Sequence, residues 1–323
     1  MPPSTPPPPP YTFVDTTSLK TAVQAFDANP TAATATYGPI ADWDVSAISD
    51  MSFLFNNLQN FNADVSNWNT SGVTDMSFMF GGSNTSFGAA AFNQPLDFDT
   101  SSVTDMSGMF RGAVVFDQPL SFDTSSVISM RAMFDGASAF NQPLSVGNVS
   151  NASDASNASP DLRRALAATD GLGSDRRRLG SDRRRLHFAT SNVKDMGAMF
   201  RGAVAFNQPL YFATSSVTDM RSMFENALVF NARLVFVMTN VGAAGRRRSR
   251  ALSSAVRSPR ELPAGPLAPD EQPSVATANV TDMADMFSGA TAFNQPLDFD
   301  TSNIKNMSGM FRGAVVFDQP LSF

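Results

Sequence analysis

The chain has 323 residues, of which 42% are hydrophobic and only 16% charged, with a formal net charge of −6, no cysteine and one histidine, His187. These counts allow a sizeable core but exclude disulfides, thiolate metal sites and cysteine nucleophiles. Any histidine-based triad or multi-histidine metal site would have to be built around His187 alone.

Residues 1–10, MPPSTPPPPP, form a proline-rich leader expected to be extended polyproline II and disordered. The start has neither a basic n-region nor an apolar h-region, so no signal peptide is expected. No run approaches eighteen apolar residues, so no transmembrane segment is expected either. Residues 11–47 read as an N-terminal capping segment. Leu19–Phe26 is amphipathic, with Thr16, Thr17 or Ser18 available to start a helix. Trp43 and Trp68 stand where Phe98 and Phe122 stand in later copies.

From Ile48 onward the chain repeats itself. Copies begin at Ile48, Val73, Val103, Val127, Val193, Val217, Val280 and Ile304, on the consensus V-T-D-M-S-x-M-F-x-G-A-x-x-F-N-Q-P-L-x-F-D-T-S-x. The period is about 24 residues, inside the range of leucine-rich-type solenoids. Within each copy the periodicity switches. Met106, Met109, Phe110 and Ala113 lie at i, i+3, i+4 and i+7, the spacing of one helix face. Thr104 and Asp105 precede that run as candidate N-caps, and Gly112 can end it. Leu120 and Phe122 then alternate with Ser121 and Asp123, the period of a strand with one buried face. The expected fold class is therefore α/β: an LRR-like right-handed solenoid of about eight 24-residue helix-strand repeats. A single unit cannot bury its apolar face, whereas stacked copies can.

The same logic assigns the conspicuous columns to structure. Apart from Met1 and Met238, every methionine falls at one of the two helix-face positions, which favours core over a copper site or an adaptable groove. Asn93, Asn141, Asn207, Asn231 and Asn294, with Asp117 and Asp318 as variants, form a column able to satisfy backbone groups. Asp75, Asp105, Asp195, Asp219 and Asp282 form another, read as helix caps; calcium between stacked carboxylates is the weaker alternative, because Ser129 and Asn306 replace the acid in two copies.

The solenoid is expected over residues 48–146, 186–240 and 280–323. Two disordered insertions, 147–185 and 241–279, separate these blocks; both are rich in Ser, Ala, Pro and Arg. They hold fourteen arginines against eight acids, so the insertions carry about +6 and the scaffold about −12. Arg176–Arg178, Arg183–Arg185 and Arg246–Arg248 could contact an anionic polymer, but an acidic scaffold would repel it. They read better as passive spacers or translated non-coding sequence. The segment Met106–Phe122 recurs letter for letter as Met307–Phe323, where the sequence stops in mid-strand, as a truncated gene or a fragment would.

The repeat V-T-D-M-S-x-M-F-x-G-A-x-x-F-N-Q-P-L-x-F-D-T-S and the opening Tyr37–Ser46 resemble the BspA-like leucine-rich-repeat surface proteins, also called the DUF285 or mycoplasma lipoprotein repeat family. The resemblance covers nearly all of the chain outside the leader and insertions. It implies surface exposure, an extracellular or cell-surface location, and adhesion or protein binding, with no catalytic residues to carry over.

Three functions follow as expectations. The first is a non-enzymatic interaction scaffold whose outward strand positions form a binding face: Asp97, Asp99, Ser121, Asp123, Tyr211, Asp298 and Asp300. Its partner would be a protein or a surface glycan, without nucleic acid and without a cofactor. The second is an orphan structural repeat with no dedicated ligand. The third, a carboxylate-pair hydrolase, is the weakest, since its acid pairs all recur in register whereas a catalytic pair should occur once. The sequons beginning at Asn69, Asn84 and Asn279 would be glycosylated on export.

Overall fold

The computed structural model describes residues 10–82, 88–144, 189–237, 277–297 and 299–321. The insertions expected at 147–185 and 241–279 lie almost wholly outside them, as does the leader up to Pro9.

The N-terminal segment carries two helices, α1 (Thr16–Ala28) and α2 (Pro30–Tyr37). Asp15, rather than a threonine, caps α1: its carboxylate accepts from the Ser18 amide at 2.7 Å. Leu19, Ala22 and Val23 on α1 are buried. They belong to the same apolar cluster as Met51, Phe55 and Phe61 of the first coil. Trp43 and Trp68 stack at 6.3 Å, and their indole N–H groups donate to the Gly38 and Ile40 carbonyls at 3.1 and 2.8 Å. Each ring thus buries its apolar body without leaving its one donor unpaired.

The repeat units lie side by side in chain order. Parallel bridges run from Asp50 to Asp75, Asp105, Ser129, Asp195, Asp219, Asp282 and Asn306. The steps Ser129–Asp195 and Asp219–Asp282 cross the two interruptions, so the units flanking each one are direct neighbours. Two ring ladders run through the core. Phe80, Phe110, Phe134, Phe200, Phe224, Phe287 and Phe311 follow one another at 5.5–5.7 Å. The second ladder, from Phe92 to Phe317, packs against the first at 4.1–4.3 Å within each unit. The paired methionines from Met76 to Met286 are fully buried beside them.

The segment expected to be a short helix is not one. Among the described residues, the α-helices are α1 and α2. In the third unit the Met106, Gly108, Phe110 and Gly112 amides donate to the Ser129, Arg131, Met133 and Asp135 carbonyls of the next coil, at 2.8–3.0 Å. The intervening amides of Met109, Arg111 and Ala113 close back onto Met106, Gly108 and Phe110 at 3.2, 2.9 and 3.0 Å. These are i→i−3 turns. A continuous α-helix would direct every amide along its own axis and leave none for the neighbour. Left-handed residues every fourth position, Gly108 (φ 60°) and Gly112 (φ 69°), break the helix and turn alternate amides outward. The Met-x-x-Met-Phe side chains still share one buried face, so the core reading stands while the backbone reading does not.

The second left-handed column is Asn57, Gly112, Gly136, Gly202, Asn226, Gly289 and Gly313, the residue types that tolerate this region. The first contains Phe53, Phe78, Ala132, Ala198, Ser222 and Asp285 besides Gly108 and Gly309. Those side chains adopt left-handed backbone at a cost of about 1–2 kcal/mol each. Gains from inter-coil hydrogen bonding and ring packing offset it.

The half-unit after the proline is extended. β1 (Leu210–Ala213) and β2 (Leu234–Val237) pair in parallel, with Leu210 opposite Leu234 and Phe212 opposite Phe236. A single bridge joins Leu96 to Leu120. Leu120 and Phe122 are buried and Ser121 is exposed, the alternation expected of a strand.

Candidate interaction face

The strand half-unit and the turn after it place the residues picked out for binding. Pairing of Leu96 with Leu120 brings Asp97 and Ser121 onto the same exposed column of adjacent coils. Tyr211 lies in β1 opposite Val235. Asp298 lies outside the described residues. Asp99 and Asp300 are exposed and Asp123 is half-buried.

Three of these carboxylates have local work. The Asp99 Oδ1 accepts from the Ser101 amide at 3.1 Å and its hydroxyl at 2.7 Å. Asp123 accepts from the Ser125 amide at 2.9 Å, and Asp300 from the Ser302 amide at 3.1 Å. Each closes a side-chain turn that redirects the chain into the next coil. The Ser302 hydroxyl and then its amide hold the Asp300 carboxyl below the usual aspartate range. Ser46 and Ser66 do the same for Asp44 and Asp64. Asp97 and Ser121 make no such turn.

The helix-cap reading of the second aspartate column needs correction. Asp75, Asp105 and Asp195 accept from the amide two residues on, Ser77, Ser107 and Gly197, at 2.7–2.8 Å. They open tight turns, because no helix follows for them to cap. Among the described residues no group of three or more His, Cys, Asp or Glu is placed to hold a metal ion.

The asparagine column does satisfy backbone, from one coil to the next. The Asn62, Asn93, Asp117, Asn141, Asn207, Asn231 and Asn294 side-chain oxygens accept from the amides of Asn93, Asp117, Asn141, Asn207, Asn231, Asn294 and Asp318, all at 2.8–3.0 Å. The Gln118, Gln295 and Gln319 side chains donate to the same oxygens at 3.0–3.1 Å. Aspartate can replace asparagine here because the position uses one acceptor oxygen and no donor.

A threonine column escaped the sequence reading. The buried hydroxyls of Thr70, Thr100, Thr124, Thr190 and Thr277 donate to the Asp99, Asp123, Ala189, Ala213 and Asp300 carbonyls at 2.7–3.0 Å. Its signal was present: the turns read N-T-S, D-T-S, A-T-S and, at Thr277, A-T-A, so Thr stays while the residue before it varies.

Ion pairs lace the middle of the stack. Asp135, only 8% exposed, receives Arg111 at 3.0 Å and Arg201 at 2.6 Å. Arg131 crosses the space left by Gly197 to lie 3.6 Å from both Asp195 and Asp219. The Asp135–Arg201 and Arg131–Asp195 pairs span the first interruption and tie its flanking coils in register.

The stack thus offers columns of exposed side chains carried from coil to coil. Among the described residues no helix is long and apolar enough to cross a membrane. A family model described as "Mycoplasma protein of unknown function, DUF285" matches residues 17–121, 83–162, 183–246 and 273–323. Neither a curated protein nor a solved structure matches the chain.

Proposed function

The chain belongs to the DUF285 repeat family, and on that premise we propose that it is a non-enzymatic scaffold for protein–protein interaction or adhesion. In this reading the coils form an LRR-like right-handed solenoid of the BspA-like kind, displayed at a cell surface, and the exposed strand column meets a protein or surface glycan. The observation that carries the reading is the register of the coils. Side chains such as Asp97 and Ser121 recur at the inter-strand spacing of about 4.8 Å, so a partner can be met by many equivalent contacts.

The test replaces Asp97, Asp99, Asp123 and Asp300 together by asparagine. Asparagine keeps the acceptor that closes the turns, as Asn69 does natively with the Ser71 hydroxyl at 2.8 Å. Fold and charge effects are thereby separated. The full chain and the variant are applied to arrays of extracellular-matrix proteins and glycans. Selective binding by the full chain, weakened at least tenfold in the variant, supports the scaffold. Equal binding removes this face, and absence of binding to every array member favours an orphan structural repeat.

A further inference from the structure

The first left-handed column changes character at its N-terminal end. Later coils carry Gly, Ala, Ser or Asp there, but the first two carry Phe53 (φ 56°) and Phe78 (φ 53°). Left-handed backbone is a marked outlier for so bulky a residue. Burial does not account for both rings, since Phe53 is 40% exposed. The rings stack at 4.9 Å with planes 5° apart. Below them the third coil supplies Gly108, where an added Cβ would lie 2.4 Å from the Phe78 ring. The glycine leaves room for the pair to lie down as a shelf on the coil surface. Among the described residues Phe78 is the one ring that Phe53 stacks with, and with Phe53 partly exposed the shelf leaves aromatic surface in reach of solvent.

The surroundings select the partner. Residues 1–110 hold ten aspartates against one basic residue, Lys20, a net −9 within a chain of net −6. Asp50, Asp75 and Asp105 stand three residues before Phe53, Phe78 and Gly108 on the same coils. One oxygen of each accepts a backbone amide at 2.7 Å. The ion pairs among the described residues involve Asp135, Asp195 and Asp219 instead. Exposed aromatic surface on coils whose column carboxylates form no ion pair among the described residues suits a planar cation. Guanidinium stacks on such a face while pairing with carboxylate, and an ammonium group cannot stack.

We propose that the Phe53–Phe78 shelf is a docking surface for an arginine side chain presented by a basic peptide of another protein. The shelf is separate from the strand column, so this inference does not depend on that face binding anything.

The test measures fluorescence anisotropy of labelled octa-arginine and octa-lysine peptides on the full chain. Both should weaken with salt. The arginine peptide should bind roughly three- to ten-fold more tightly, from one or two stacked guanidinium groups. F53A/F78A should remove that preference and keep the salt-sensitive binding common to both peptides. Alanine occupies the same backbone position natively at Ala132 and Ala198, and a circular dichroism melt checks that the coils persist. The proposal is overturned if the two peptides bind alike, if neither binds, or if the preference survives F53A/F78A. It is also overturned if arginine binding emerges only after Arg176–Arg178, Arg183–Arg185 and Arg246–Arg248 are replaced by serine, which would assign the shelf to the chain's own arginines.

Discussion

Replacing Phe134 by alanine tests whether coils are stable only through their neighbours. Phe134 is fully buried. Its ring lies 5.7 Å from Phe110, 5.6 Å from Phe200 and 4.1 Å from Phe140, so it is covered on both sides along the stack and within its own coil. Phe→Ala at an enclosed site costs about 3–5 kcal/mol, and the inter-coil amide bonds hold the backbone against collapse into the gap. A loss of ~4 kcal/mol is expected. Phe311 is the control. It is half-buried, with Phe287 at 5.6 Å and Phe317 at 4.3 Å but no described ring beyond it. Phe311→Ala should cost about half as much, roughly 2 kcal/mol. Urea unfolding followed by circular dichroism gives both numbers. Hydrogen exchange locates them: in F134A the Phe110 amide, which donates to Met133, and the Phe134 amide, which donates to Met199, should lose protection first. Units that contact only neighbours lose stability locally. A Phe134→Ala cost under about 1 kcal/mol, or one equal to that of Phe311→Ala, would refute the shared-core argument.

The other predictions concern the backbone columns and the carboxylates. Thr190→Val should cost about 1–3 kcal/mol in urea unfolding, because the buried Thr190 hydroxyl both donates to the Ala213 carbonyl at 3.0 Å and accepts from its amide at 2.7 Å. In the left-handed columns, Gly136→Ala (φ 70°) should destabilise by about 1–2 kcal/mol, whereas Ala132→Gly (φ 54°) should be neutral or stabilising by up to ~1 kcal/mol, both read as shifts in unfolding midpoint. Carboxyl carbon NMR should find Asp44, Asp64 and Asp300 titrating below ordinary aspartate and Asp195, raised chiefly by burial, above it. The signs are opposite. The three depressed groups favour the fold above the unfolded aspartate value, and that contribution is lost as pH falls through their folded values. Asp195 favours it below the unfolded value and loses that contribution as pH rises through its own.

Much of the architecture was legible because a repeated sequence repeats its environment. The methionine and phenylalanine columns announced a common core, and the asparagine column announced a backbone ladder tolerant of aspartate; the contacts of Met106, Phe110 and Asn141 agree with both readings. The helix was misread for a physical reason. Spacing of i, i+3, i+4 and i+7 states which side chains share a face, and a helix and a string of tight turns satisfy it equally. Gly108 hinted at the difference, but Ala132, Ser222 and Phe78 in the same column concealed it, since those residues rarely adopt left-handed backbone by local preference. Of the candidate face, the alternation of Leu120, Ser121 and Phe122 revealed which side chains point outward. It did not reveal that Asp99, Asp123 and Asp300 are engaged by serines two residues on. The Phe53–Phe78 shelf had no periodic signature at all, because it is where the repeat departs from itself.

Residue order alone sets the composition of the core, the length of each unit and the columns that recur. Tertiary structure decided the path of the backbone, because amides of Met106, Gly108, Phe110 and Gly112 could close a helix or reach the next coil. The acceptors that settle the choice, on Ser129, Arg131, Met133 and Asp135, belong to a different turn of the chain. It also decided that units some 65 residues apart, such as those of Asp135 and Arg201, are neighbours. Contact across an interruption depends on where the coils on either side find matching faces, and no local stretch of sequence contains that information.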